Sequence, residues 1–232
     1  MMSDTPSTPR EEVIVLSDGL RLPGTLGLPK NPRGLVIFAH GSGSSRLSPR
    51  NRAVAAEIQA RGCGTLLFDL LTDEEARDRA RVFDIDLLAQ RVAGAVAWAR
   101  RNAETIGIPI GLFGASTGAA AALVAAADPR LAIAAVVSRG GRADLAGNHL
   151  SRVRCPTLLV VGGADREVLE LNRQAFVRLN CRKGLEVVPG ATHLFEEPGA
   201  LEQVVDLAAS WFSAAFARAL SDSDRPANAR CQ

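Results

Sequence analysis

Short runs of consecutive apolar residues alternate along the chain with longer stretches in which apolar residues return every three or four positions. Runs apolar at nearly every position occupy 34–39, 64–69, 109–113, 133–138 and 157–161, and a last strand, 185–188, precedes Pro189-Gly190. A strand that is apolar at nearly every position is covered on both faces, as in a parallel sheet between helical layers. The first pair, 12–16 and 20–28, is joined only by Ser17-Asp18-Gly19. So short a link forces antiparallel pairing.

Between the runs lie segments of helical period. The first, 51–61, follows Ser48-Pro49 and stops at Gly62, and 84–101 carries Leu87, Leu88, Val92, Val96 and Trp98 on one side. The segment 117–127 is almost wholly small and apolar, which suits burial against a sheet, and 170–179 and 201–217 complete the set. Strands alternating with helices describe an α/β domain with a mostly parallel twisted sheet and helices on both faces. At 232 residues the chain suits a single domain. We expect that domain at 12–219, with disordered ends at 1–11 and 220–232.

Composition narrows the classes. There are 27 Lys and Arg against 25 Asp and Glu, no basic stripe, and 4% aromatic residues, so nucleic acid is not an expected partner. No apolar window reaches 18 residues and the polar first residues lack an export core, so no membrane partner is expected. Cys63, Cys155, Cys181 and Cys231 are scattered, without a CxxC pair or histidines at zinc-ligand spacing. The expectation is reduced thiols, a cytoplasmic location and no metal.

The sharpest chemical signal is Gly114-Ala115-Ser116-Thr117-Gly118, set between an apolar strand and an Ala-rich helix. The G-x-S-x-G pattern alone carries little. Its strand-to-helix setting carries much more, because there a serine occupies a strained turn that lifts its Oγ above the sheet. Serine needs a base, and the base needs an orienting group. Of three histidines, His193 in Gly190-Ala191-Thr192-His193-Leu194-Phe195 lies just beyond the last strand, whereas His40 ends a strand and His149 sits in a polar segment. Asp165, in Val161-Gly162-Gly163-Ala164-Asp165, follows a strand and lies between nucleophile and base in sequence. It competes with Asp144 for the acid role, and its own plainer reading is a helix cap. For the oxyanion, the donors expected are the N–H of Thr117 and that of Ser42 in His40-Gly41-Ser42-Gly43-Ser44-Ser45. That loop lacks the GK[ST] ending and the G-x-G-x-x-G order of nucleotide-binding loops.

On these four pieces, and over about 13–216, the chain resembles the dienelactone-hydrolase-like branch of the α/β hydrolases. The resemblance implies an α/β-hydrolase fold without a lid domain, no cofactor, and hydrolysis of a small-molecule ester or lactone by a monomer or small homo-oligomer. The link between strands 133–138 and 157–161, under twenty residues, has no room for a lid. The branch's namesake enzymes carry Cys at the elbow and Glu in the oxyanion loop. Ser116 and Gly41 stand there in this chain, so carboxylic ester hydrolysis is the activity implied.

Candidates for substrate contact are Arg139 and Arg142 of Ser138-Arg139-Gly140-Gly141-Arg142, at the sheet end where ligands bind. Either could hold a carboxylate. The plainer reading is an ion pair with Asp144 or simple solvation, and Arg46, Arg50 and Arg52 share the ambiguity. Phe195 and Leu194 could line an acyl pocket or pack in the core. Asp69 reads as a brace for loop backbone, and Asp73-Glu74-Glu75 as a solvated loop or a helix start. Three rivals to ester hydrolysis remain: acyl transfer by the same residues, a non-catalytic binding protein of the same fold, and a peptidase.

Overall fold

A computed structural model describes residues 10–223. The ends expected to be disordered fall outside that range, except that Arg10 and Glu11 are strand and 220–223 are helix. Eight strands form one sheet: β1 (Arg10–Ser17), β2 (Leu20–Gly27), β3 (Leu35–Ala39), β4 (Gly64–Phe68), β5 (Ile110–Ala115), β6 (Ala135–Arg139), β7 (Thr157–Gly162) and β8 (Lys183–Val188). Their order is β1-β2-β4-β3-β5-β6-β7-β8. β1 and β2 pair antiparallel and β2 runs antiparallel to β4; every other pairing is parallel. The tight link between β1 and β2 turns at Asp18 and Gly19, both with positive φ.

Among the described residues the α-helices are α1 (Pro49–Ala60), the single turn α2 (Arg79–Val82), α3 (Ile85–Ala99), α4 (Thr117–Ala126), α5 (Arg166–Arg178) and α6 (Ala200–Ser223). The apolar runs divide by alternation, because successive strand residues face opposite sides. Leu35 and Ile37 of β3 join Leu112 and Val136 beneath α3 and α4. Val36 and Phe38 join Phe113, Val137 and Val160 beneath α1 and α6. Each such side chain, fully buried, stabilises the fold by about 1.5–3 kcal/mol. Phe212 and Phe216 of α6 stack at 5.7 Å on that second face.

Starts and stops follow local chemistry. Ser48 caps α1, accepting the Asn51 N–H, with Pro49 as its first residue, and Asp84 caps α3 by accepting the Leu87 N–H at 3.0 Å. α5 begins four residues earlier than its apolar period suggests, because its first turn, Arg166-Glu167-Val168-Leu169, buries only Val168 and Leu169. The link from β6 to β7 is a kinked 3-10 segment, Ala143–Arg152, which hides Ala143, Ala146 and Leu150 under α4 and α5. All the parallel strands point their carboxyl ends to one edge, and the loops there carry Gly41, Ser116, Gly140, Asp165 and His193.

Candidate active site

Ser116 joins β5 to α4 with φ 49° and ψ −123°, a left-handed backbone for a non-glycine residue. Such a conformation costs on the order of 1–3 kcal/mol and persists only where the surroundings impose it. Here they do. The Ser116 N–H donates to the Arg139 carbonyl at 3.4 Å, and the Ser116 carbonyl accepts from the N–H of Arg142 at 3.0 Å and of Ala119 at 3.1 Å. The flanking glycine is dictated by contact: a Cβ on Gly118 would lie 2.2 Å from the Ala39 carbonyl oxygen, inside the end of β3. Gly41 meets the elbow from the other side, and a Cβ there would fall 2.9 Å from the Ser116 Cβ. The side chain of residue 41 is thus excluded by Ser116 itself.

Asp165 follows β7 and His193 follows β8. Their loops are laced together by Ala164 N–H to the Ala191 carbonyl at 2.9 Å and Gly163 N–H to the Val188 carbonyl at 2.8 Å. His193 Nδ1 lies 2.7 Å from Asp165 Oδ2, with the His193 side chain 38% exposed and that of Asp165 14% exposed. A proton on Nδ1 satisfies this bond and leaves Nε2 as the free basic nitrogen. Asp165 stands at the N-cap of α5, yet its side chain makes no cap bond. Asp144, its rival, is held by Arg142 through Nε at 2.9 Å and Nη2 at 2.8 Å. His149 lies in the kinked 3-10 segment.

Ser116 Oγ and His193 make no direct hydrogen bond among the described residues, and His193 lies against Gly140, the residue after Arg139. A Cβ on Gly140 would be 3.1 Å from the His193 carbonyl oxygen and 3.6 Å from its Cε1. The strand bond from Ser116 to Arg139 ends one residue before that glycine. In unliganded sites such catalytic hydrogen bonds are often long and tighten with substrate.

The two expected oxyanion donors are adjacent but differ in state. Thr117 is the first residue of α4, so its N–H precedes the helical ladder. The Ser42 N–H donates to Thr117 Oγ1 at 3.0 Å, tying the loop after β3 to the elbow. His40, read from sequence only as the end of a strand, braces the same loop. Its Nδ1–H donates to the Gly41 carbonyl at 3.0 Å and its Nε2 accepts the Leu70 N–H at 3.1 Å. Desolvation depresses the His40 pKa, against smaller opposing effects of the Gly41 bond and Asp69. Asp69 braces the loop further on, accepting the Arg46 N–H at 2.7 Å.

Other supports had no sequence signal. Asn172, fully buried on α5, donates Nδ2–H to the Gly141 carbonyl at 2.7 Å and the Val168 carbonyl at 2.8 Å. Glu197 accepts the Thr192 N–H at 3.0 Å and pins the His193 turn, and hydrogen bonds from Thr192 hold its carboxyl below the usual range.

The substrate candidates separate. Phe195 is 2% exposed and belongs to the core beneath α1 and α6, so its ring anchors the turn, whereas Leu194 is 38% exposed. Arg142 is committed to Asp144. Arg139 is 7% exposed, with Cζ 5.9 Å from the centroid of the Phe195 ring and Nη2 3.4 Å from Asn51 Oδ1.

Comparison with known proteins agrees with this architecture. Residues 32–210 match the alpha/beta hydrolase domain family. The crystal structure of dienelactone hydrolase from Anabaena variabilis is 50% identical, with a TM-score of 0.87 over 90% of this chain and 98% of that one. Est1E from Butyrivibrio proteoclasticus, 18% identical, shares the fold with a TM-score of 0.75 over 89% of this chain and 99% of its own. Two Mycobacterium tuberculosis proteins provisionally named phosphoribosyl transferases are 59% identical over 202 residues, which is 87% of this chain. This chain spans only 46% of the length of each. The chain belongs to the α/β hydrolases, in their dienelactone-hydrolase-like branch.

Proposed function

We propose that the protein is a serine hydrolase that cleaves a carboxylic ester or lactone through an acyl-enzyme. The observation that carries the reading is the 2.7 Å Asp165–His193 contact beside a serine held in an elbow conformation. His193 Nε2 takes the Ser116 proton as Oγ attacks the carbonyl carbon, and Asp165 stabilises the resulting imidazolium. The oxyanion is held by the Thr117 N–H and by the Ser42 N–H, which turns from, or is shared with, Thr117 Oγ1. His193 returns the proton to the leaving alcohol. A water that it then deprotonates attacks the acyl carbon and frees Ser116 as the acid departs. No cofactor is required for these steps.

The name of the Mycobacterium tuberculosis relatives concerns proteins more than twice as long as the aligned region. Phosphoribosyl transfer is therefore not carried over to this chain, whose loop after β3 lacks the GK[ST] ending and the G-x-G-x-x-G order of phosphate-cradling loops. The three described cysteines are free thiols, which suits a reducing compartment such as the cytoplasm.

Turnover of p-nitrophenyl acetate and butyrate tests the reading. Wild type should hydrolyse at least one, and Ser116→Ala should lower kcat by about 10⁶. Equal rates in wild type and Ser116→Ala would overturn it.

A further inference from the structure

The Thr117 hydroxyl has half of its hydrogen-bonding capacity unused. Thr117 is 4% exposed, and its Oγ1 accepts the Ser42 N–H at 3.0 Å. A threonine hydroxyl is a donor as well as an acceptor. Within a helix its proton ordinarily goes back to a carbonyl one turn earlier. Thr117 is the first residue of α4, and the residues one turn before it, Phe113 and Gly114, belong to β5. The hydroxyl donates to none of the described residues. A buried O–H without an acceptor is costly, and an acceptor that arrives with a ligand would remove the cost.

Its surroundings define that acceptor. The N–H of Thr117 precedes the helical ladder of α4, and the Ser42 N–H is aimed at Oγ1 itself. The oxygen therefore stands on the residue that carries one expected oxyanion donor and within hydrogen-bond distance of the other. Ser42 is exposed, so the buried hydroxyl borders a surface that an ester can reach. The dipole of the ten-residue α4 favours negative charge at this end of the helix. A hydroxyl that accepts a hydrogen bond is polarised and donates a stronger one in turn. The Ser42 N–H thus strengthens the Thr117 O–H as a donor.

We infer that the Thr117 hydroxyl is a catalytic group, a third donor to the oxyanion beside the Thr117 and Ser42 N–H groups. The inference rests on the ester-hydrolase reading and deepens it. As Ser116 Oγ adds to the carbonyl carbon, the π electrons of the C=O bond move onto the carbonyl oxygen. The hydroxyl turns about its Cβ–Oγ1 bond and directs its proton there while still accepting from Ser42. No proton is transferred in this contact, and it weakens when the carbonyl re-forms and the alcohol leaves with the proton from His193. Negative charge on that oxygen is largest in the tetrahedral intermediate, so the hydroxyl acts on kcat more than on KM.

Two measurements test it. When Ser116 Oγ displaces fluoride from a fluorophosphonate, the phosphonyl oxygen of the adduct occupies the oxyanion position. In the crystal structure of that wild-type adduct, Thr117 Oγ1 should lie about 2.7–3.1 Å from the phosphonyl oxygen. A separation beyond about 3.5 Å, with both amides on that oxygen, overturns the inference and leaves the hydroxyl as a clamp on the loop. With p-nitrophenyl butyrate, Thr117→Val should lower kcat about a hundredfold with KM near wild type, and Thr117→Ser should recover most of the loss. A kcat in folded Thr117→Val within about threefold of wild type overturns it equally. If Thr117→Val does not fold, the wild-type adduct decides alone. An adduct with Oγ1 out of reach overturns this inference only. Neither adduct nor ester hydrolysis in wild type overturns the reading beneath it as well.

Discussion

Asp165 occupies the cap position of α5 without capping it, and its Oδ2 instead lies 2.7 Å from His193 Nδ1. A cap residue that gives up its helix forgoes about 1 kcal/mol. Here the carboxylate faces the loop after β8, where it can orient an imidazole.

Asp165→Asn should keep the fold and lower kcat by about 10⁴, because the amide stabilises neither the working tautomer nor the imidazolium. Asp144→Ala should leave activity near wild type, since Asp144 is spent on Arg142. Steady-state ester hydrolysis by both variants checks this. A larger loss in Asp144→Ala than in Asp165→Asn would transfer the acid role.

Thr117→Val removes the acceptor of the Ser42 N–H while keeping the buried shape. Loss of this hydrogen bond at the exposed Ser42 should cost about 0.5–1.5 kcal/mol of stability. Urea unfolding measures the loss, and an unchanged midpoint would show that the hydroxyl does not clamp the loop to the elbow.

His40 sets a pH dependence whose sign follows from its depressed pKa. The folded protein releases this proton more readily than the unfolded chain, where histidine titrates near about 6.5. The contribution is therefore complete above that pH and is lost as pH falls through the lower folded value. The stability advantage of wild type over His40→Gln, from urea unfolding, should shrink between pH 7 and pH 5. An advantage that grows over that range would contradict the assignment.

Much of this site could be read before any coordinates, and for a physical reason. Ser116, Asp165 and His193 each follow a strand that the sequence pattern predicts, so that pattern placed all three candidates at one edge of the sheet. The brace residues could not be found that way. His40 reaches the Leu70 amide and Asn172 the Gly141 carbonyl, contacts between loops far apart in the chain that leave no spacing in the sequence. The early start of α5 was hidden because its first turn buries only Val168 and Leu169 and so shows little period. The 3-10 segment after β6 has neither helical nor strand period. Arg139 and Arg142 look equivalent three residues apart, and only the sheet decides which reaches Asp144 and which is turned inward toward α1.

Cys155 should be inert. Desolvation, with Cys181 adding to it, pushes its thiol up to about 12. At pH 8 only about one molecule in ten thousand would then carry the reactive thiolate. Iodoacetamide treatment of the native protein followed by peptide mapping should leave Cys155 unmodified, while urea-unfolded protein reacts. Equal labelling in both states would refute the shift.

Catalysis through Ser116 requires an activated hydroxyl, which intact-mass analysis after treatment with a fluorophosphonate probe detects directly. One adduct is expected on wild type, none on Ser116→Ala, and strongly slowed labelling of His193→Ala. No adduct on folded wild type, or an equal adduct on Ser116→Ala, would contradict it.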